Sequence, residues 1–256
     1  MLHDGSRPYP YAIECLEKLQ VHNKKVVILS NAARRCEVLV RELQSVGIAP
    51  ALYQSVLSSG ELAWKSLQSK NYKYQKGYYL GPPRSRGLLE GLSQHWVEDI
   101  ELADFILNTG APEGNPSTTQ DSEVLLQAAV SRDLPMICAN PDLVAIRGGQ
   151  AGISAGALAR RYQKLGASQI EYHGKPYAPI YQQALSLLGN MPRTQVLAIG
   201  DAYATDIRGG QNAGLDTCLI AAGIHRDELL PLTLESLQHS TPVDIKPDYS
   251  CEYLSW

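Results

Sequence analysis

The sequence predicts an α/β protein, with a parallel sheet carrying helices on both faces and a second α/β domain inserted into it. Three observations support this. Helical periodicity alternates with short apolar runs early in the chain, the same alternation returns after residue 169, and the stretch between has strand and turn signals of its own.

Taken in order, YAIECLEKLQVH (11–22) spaces Ile13, Leu16 and Leu19 as a helix does, and Lys24-Lys25 then introduces VVILS, a buried strand. AARRCEVLVRELQSVGI sets Val38, Leu39, Leu43 and Val46 on one helical face and stops at Gly47. YYLGPPRSRG reads as a strand end and turn. DFILNTGAPEGNPSTTQDSE reads as a strand and a polar loop, and LPMICANPDLVAIRGGQAGISAG as a strand followed by a long polar turn. Residues 73–169 are therefore expected to be the inserted domain, with 1–72 and 170–256 forming the core domain. In the last part APIYQQALSLLG is an amphipathic helix, QVLAIG a buried strand, DIRGGQNAG a Gly-punctuated helix and DTCLIAAG a further strand. The tail KPDYSCEYLSW reads as a terminal strand and turn, and Tyr72, Tyr74, Tyr78 and Tyr79 as packing residues.

Composition narrows the function. With 23 Lys+Arg against 26 Asp+Glu in 256 residues there is no basic footprint, which argues against nucleic acid as a partner. The five cysteines contain no C-x-x-C pair, so neither a disulfide framework nor a zinc site is expected, and they read as buried reduced thiols. No stretch approaches the roughly 20 apolar residues of a membrane span. Asp4, Arg7 and two prolines stand where a secretory signal would need an apolar run. The expectation is a cytoplasmic protein with small-molecule partners, no nucleic acid and no membrane.

Ligands of open α/β sheets bind beyond the carboxyl ends of strands, so polar residues directly after an apolar run are the candidates. VVILSN ends in Ser30-Asn31 before a helix, where a hydroxyl and free backbone N–H groups can hold a phosphate; an ordinary helix cap accounts for the same residues. EYHGKPYAPIY presents Lys175 between Gly174 and Pro176. Such a lysine can fix a phosphoryl oxygen and neutralise a carboxylate, though on its own it reads as a solvated loop lysine. VLAIGDAYATDIRGG puts Asp201 at a strand tip with Asp206 just beyond. Two carboxylates there suit Mg²⁺, whereas a cap would explain only one of them.

Taken together, Ser30, Lys175 and the Asp201/Asp206 pair resemble motifs II, III and IV of the haloacid dehalogenase (HAD) superfamily of phosphohydrolases. CANPD (138–142), GKP (174–176) and GDAYATDIRGGQNAG (200–214) resemble its IIA subclass, the NagD-like and pyridoxal-phosphate-phosphatase-like branch. The resemblance implies a Rossmann-like parallel-sheet core, HAD-like, with an inserted α/β cap domain of the larger kind that marks subclass IIA. It further implies a phosphatase acting on a small organic phosphate through an aspartyl phosphate, with Mg²⁺ as cofactor. It assigns Ser30 and Asn31 to the phosphoryl group, Lys175 to the phosphoryl oxygen and the nucleophile, and Asp201 and Asp206 to the metal, and it places Asn140 and Asp142 toward the leaving group. A homodimer through the cap is the oligomer it suggests.

Motif I of the family reads D-x-D-G-[VT], and in a branch of IIA D-x-W-G-V-[LI]-H-D-G. Leu2-His3-Asp4-Gly5 resembles that ending, which puts the nucleophilic aspartate ahead of Met1 and Asp4 in the turn after motif I. The expectation is a chain without its nucleophile and without the strand that pairs VVILS on one side and VLAIG on the other. A catalytically inactive phosphate-binding or regulatory protein is the alternative function. The branch usually has Gly where Tyr11 stands. A dinucleotide-binding enzyme is disfavoured because no G-x-G-x-x-G follows an early strand.

Overall fold

Short aliphatic runs bounded by Gly, Pro or Asn become strands here, and the longer amphipathic runs between them become helices. The computed structural model describes residues 1–69, 74–112, 119–147 and 150–256. In chain order the first elements are α1 (Ala12–Val21), β1 (Val27–Ser30), α2 (Cys36–Ser45), β2 (Ser55–Ser58) and α3 (Ser59–Ser69). There follow β3 (Lys76–Leu80), β4 (His95–Val97), β5 (Phe105–Asn108), α4 (Thr119–Ser131), β6 (Met136–Cys138), β7 (Val144–Arg147), β8 (Gln150–Ile153), α5 (Ala155–Lys164) and β9 (Ile170–Tyr172). The chain ends with α6 (Ala178–Leu187), β10 (Leu197–Gly200), α7 (Arg208–Asn212), β11 (Asp216–Ile220), α8 (Arg226–Leu229), α9 (Leu234–Ser240) and β12 (Tyr249–Cys251). Two units result. One comprises Met1–Leu29, Glu37–Leu57 and Lys175–Trp256, and the other Ser30–Cys36 and Ser58–Gly174.

The second unit is built on a parallel sheet of order β4-β3-β5-β6-β9. A parallel strand covered on both faces is apolar throughout, and Phe105, Ile106 and Leu107 of β5 are fully buried. Alternation sends them to opposite sides. Phe105 and Leu107, with Ile137, pack against Ala63 and Leu67 of α3 and against Leu88, whereas Ile106 and Met136 pack against Leu126 of α4 and Leu158 and Tyr162 of α5. Tyr74 and Tyr79 join the first layer and Tyr78 the second. Tyr72 and residues 113–118 of the polar loop lie outside the described residues. The long polar turn expected after CANPD is instead an antiparallel pair, β7 with β8; Val144 and Ile146 favour extended backbone, a propensity that the polar character of the stretch masks.

In the first unit β10, β11 and β12 form a parallel sheet, and β1 and β2 form a separate two-stranded one. The sequence predicted β1 and β10 as buried strands. All four residues of β1 are only half-buried, and Leu197 at the start of β10 is 46% exposed. The reason is pairing: among the described residues each of these strands has a neighbour on one side only. Ala12 and Cys15 of α1 pack with Cys218, Ile220 and Leu254, so the terminal segment does complete this core. All five cysteines are free, but the expectation of buried thiols fails at Cys251, which is exposed on the outer strand β12, and at half-buried Cys36. No described helix is long and apolar enough to cross a membrane.

Candidate active site

In the first unit the chain leaves β10 at Gly200, passes through Asp201 and enters a single π-helical turn, Tyr203–Ile207, that carries Asp206 back over the strand end. Asp206 closes this turn: its Oδ2 accepts from the backbone N–H of Asp201 at 3.2 Å and of Ala202 at 3.1 Å. Its Oδ1 accepts from Lys175 Nζ at 2.5 Å. Asp206 is 9% exposed, so this charge-assisted bond lies in a largely dehydrated setting, where geometry decides its worth.

Two glycines make room for the carboxylates. A Cβ on Gly200 would lie 2.2 Å from Asp206 Cβ, and one on Gly223 would lie 2.1 Å from Asp201 Cβ. Just past Gly223, the N–H of Ile224 donates to Asp201 Oδ2 at 3.2 Å. Sequence reasoning missed Gly223; its signal was the glycine closing the apolar run DTCLIAAG. Tyr181 of α6 was missed as well. Its hydroxyl donates to the carbonyls of Thr205 at 3.2 Å and Asp206 at 3.3 Å, and burial pushes that hydroxyl's pKa well up, so it remains a donor. Gly209 of α7 lets the ring approach, since a Cβ there would meet Tyr181 Oη at 2.3 Å.

The donor set can be tested for a divalent cation. Asp206 has both oxygens engaged by N–H groups and by Lys175, so Asp201 is the carboxylate able to ligate, with Asp206 holding its backbone. Among the described residues no group of three His, Cys, Asp or Glu side chains could hold a metal. One or two hard carboxylates, completed by water and substrate phosphate, are the usual Mg²⁺ set, so these residues fit that ion.

In the second unit Ser30 closes β1 and its Oγ accepts from Ala32 N–H at 3.2 Å. Asn31 is 6% exposed and its Nδ2 donates to Asp142 Oδ1 at 2.8 Å. Asn140 Oδ1 in turn accepts from Asp142 N–H at 2.9 Å. The start of α3 holds the loop after Ser30: Ser59 Oγ and Gly60 N–H both donate to Ala32 O, and Ser58 Oγ donates to Arg34 O at 2.6 Å. Arg35 pairs with Glu61 at 2.7 Å and lies 3.7 Å over the Trp64 ring. Burial alone would raise the Glu61 carboxyl, but hydrogen bonds from Arg35 and from Cys36 N–H hold it below its ordinary value. The structure thus brings Lys175, Asp201 and Asp206 together in one unit, and Asn31, Asn140 and Asp142 together in the other. Asp4 belongs to a turn, its Oδ1 accepting from Ser6 and Arg7 N–H groups, which lower its carboxyl pKa.

A profile of haloacid dehalogenase-like hydrolases matches residues 1–93, and a HAD-hydrolase-like profile matches residues 172–255. A haloacid dehalogenase-like hydrolase from Brucella suis 1330 is 30% identical, with a TM-score of 0.80 over 88% of this chain and 86% of that one. The 5′-nucleotidase YutF of Bacillus subtilis is 40% identical over 72 residues, 28% of each chain. An acid sugar phosphatase of Staphylococcus epidermidis is 30% identical over 159 residues, 62% of this chain and 56% of the relative. The chain thus spans 28% and 56% of the length of these two curated relatives. With two family profiles on flanking segments and a 30% identical relative covered over most of its length, the chain belongs to the haloacid dehalogenase-like hydrolases.

Proposed function

We propose that the protein takes part in Mg²⁺-assisted hydrolysis of small phosphate monoesters. The observation that carries this reading is the strand-tip arrangement in which Asp206 holds both the Asp201 backbone and the Lys175 ammonium. Phosphoryl transfer depends mostly on positioning and charge stabilisation, and each residue has a role of that kind. Lys175 neutralises phosphoryl oxygens, and the resemblance gives Ser30 and Asn31 hydrogen bonds to a phosphoryl group. Asp201 holds Mg²⁺ with Asp206 behind it; the ion, when bound, supplies charge neutralisation and orientation. Residues 73–169 act as the inserted cap. The relatives, an acid sugar phosphatase and a 5′-nucleotidase, support a small organic phosphate as substrate.

A second reading is a phosphate-binding protein without turnover, which fits Asp4 having its Oδ1 held within its own turn by the Ser6 and Arg7 N–H groups. The two are separated by p-nitrophenyl phosphate hydrolysis with Mg²⁺, measured on the 256-residue chain and on a form in which a D-x-[DW]-G strand precedes Leu2. Turnover in the second form supports the phosphatase. Silence in both, with both folded by circular dichroism, supports the binding protein.

A further inference from the structure

Asp142 is better placed to orient another residue than to meet a substrate. Its backbone is fixed from three directions: its N–H donates to Asn140 Oδ1 at 2.9 Å, its carbonyl accepts from Gly156 N–H at 3.1 Å, and Ser154 N–H donates to the next carbonyl, of Leu143, at 3.3 Å. Helix α5 presses against this turn so closely that a Cβ on Gly156 would lie 2.1 Å from Pro141 O and 2.6 Å from Asp142 O. From this fixed post the carboxylate accepts from Asn31 Nδ2 at 2.8 Å.

The other end of the Asn31 amide is confined too. A Cβ on Gly174 would lie 2.5 Å from Asn31 Oδ1 and 3.0 Å from Pro141 Cδ, so only glycine allows the amide to lie where it does. An amide has a donor end and an acceptor end, and a phosphate accepts only. Turned over, Asn31 would present an oxygen to the anion and repel it. A carboxylate also only accepts, so Asp142 can hold the amide in one sense alone, with its nitrogen toward the carboxylate and its oxygen against Gly174.

We propose that Asp142 is a positioning residue for phosphoryl binding, acting through the orientation of the Asn31 amide. This rests on the reading that Asn31 binds the phosphoryl group. The sign of its effect is diagnostic, since removing a negative charge near an anion site would by Coulomb's law tighten anion binding, whereas loss of orientation weakens it.

The test is calorimetric titration of inorganic phosphate, with Mg²⁺ present, into the unaltered chain and into D142A, D142N, N31A and D142A/N31A. Thermal melts of each variant report on folding. D142A and N31A are each expected to weaken phosphate about tenfold, the scale of one hydrogen bond to a charged group. The double variant is expected to be no weaker than N31A alone. D142N, whose carbonyl still accepts from Asn31, is expected to retain most of the affinity. Unchanged or tighter binding in D142A, or losses that add fully in the double variant, would overturn the role of Asp142 while leaving phosphate binding intact. An unaltered, folded chain that binds no phosphate would instead overturn the functional reading and this inference with it.

Discussion

At the scale of single residues, the three stations at strand ends could be nominated from the sequence because their chemistry is local. Asp201 follows its strand by one residue, and Lys175 stands between Gly174 and Pro176. What the sequence hid are partners distant along the chain: Gly223 makes room for Asp201, and Tyr181 holds the turn carrying Asp206. Lys175 and Asp206, with side chains 15% and 10% exposed, form a pair that should tolerate joint removal better than single removal. Lys175→Met is expected to destabilise by roughly 3 kcal/mol, because it leaves a buried carboxylate unpaired, and Lys175→Met/Asp206→Asn by clearly less, as read from urea melts. Tyr11 stands where glycine is usual in the resembled branch, and its φ of 67° lies in the left-handed region. Tyr11→Gly should relieve about 1 kcal/mol of backbone strain, offset in part by the lost edge-on contact with Tyr253 at 5.6 Å. A small rise in melting temperature is expected, and a fall would mean that the ring contact dominates.

At the scale of elements, helices were legible from their periodicity, whereas the degree of strand burial was not, since it depends on neighbours supplied by distant segments. The half-buried β1 and β10 show this, as does the pair β7 and β8 within a stretch that reads as polar. The contact of α6 with α7 gives a packing prediction: Gly209→Ala would push a methyl against the Tyr181 hydroxyl and should cost about 1–3 kcal/mol by thermal melt. The loop after β1 gives a pH prediction through Glu61, whose folded pKa lies below its ordinary 4.5. A depressed carboxyl adds stability that is complete above the unfolded value and is lost as pH falls through the folded one. Glu61→Gln should therefore lower stability near neutrality and flatten the acid limb of the stability profile below about pH 4.5, and an unchanged limb would remove Glu61 from that role.

At the scale of the molecule, alternating helix and strand declared the parallel α/β class, and the two units each carry a parallel sheet. The division of labour between them was less legible. Ser30–Cys36, read as part of the core domain, groups with Ser58–Gly174, because the start of α3 and the Asp142 turn hold that loop through hydrogen bonds no local pattern announces. In the proposed function Asp201 makes turnover Mg²⁺-dependent, which phosphate release from p-nitrophenyl phosphate against Mg²⁺ concentration tests. The assay uses the form with a D-x-[DW]-G strand before Leu2, with and without Asp201→Asn. Saturable dependence on Mg²⁺, lost on chelation and reduced at least about a hundredfold by Asp201→Asn, is the expected result. Equal turnover by the folded Asp201→Asn variant at every Mg²⁺ concentration would contradict it.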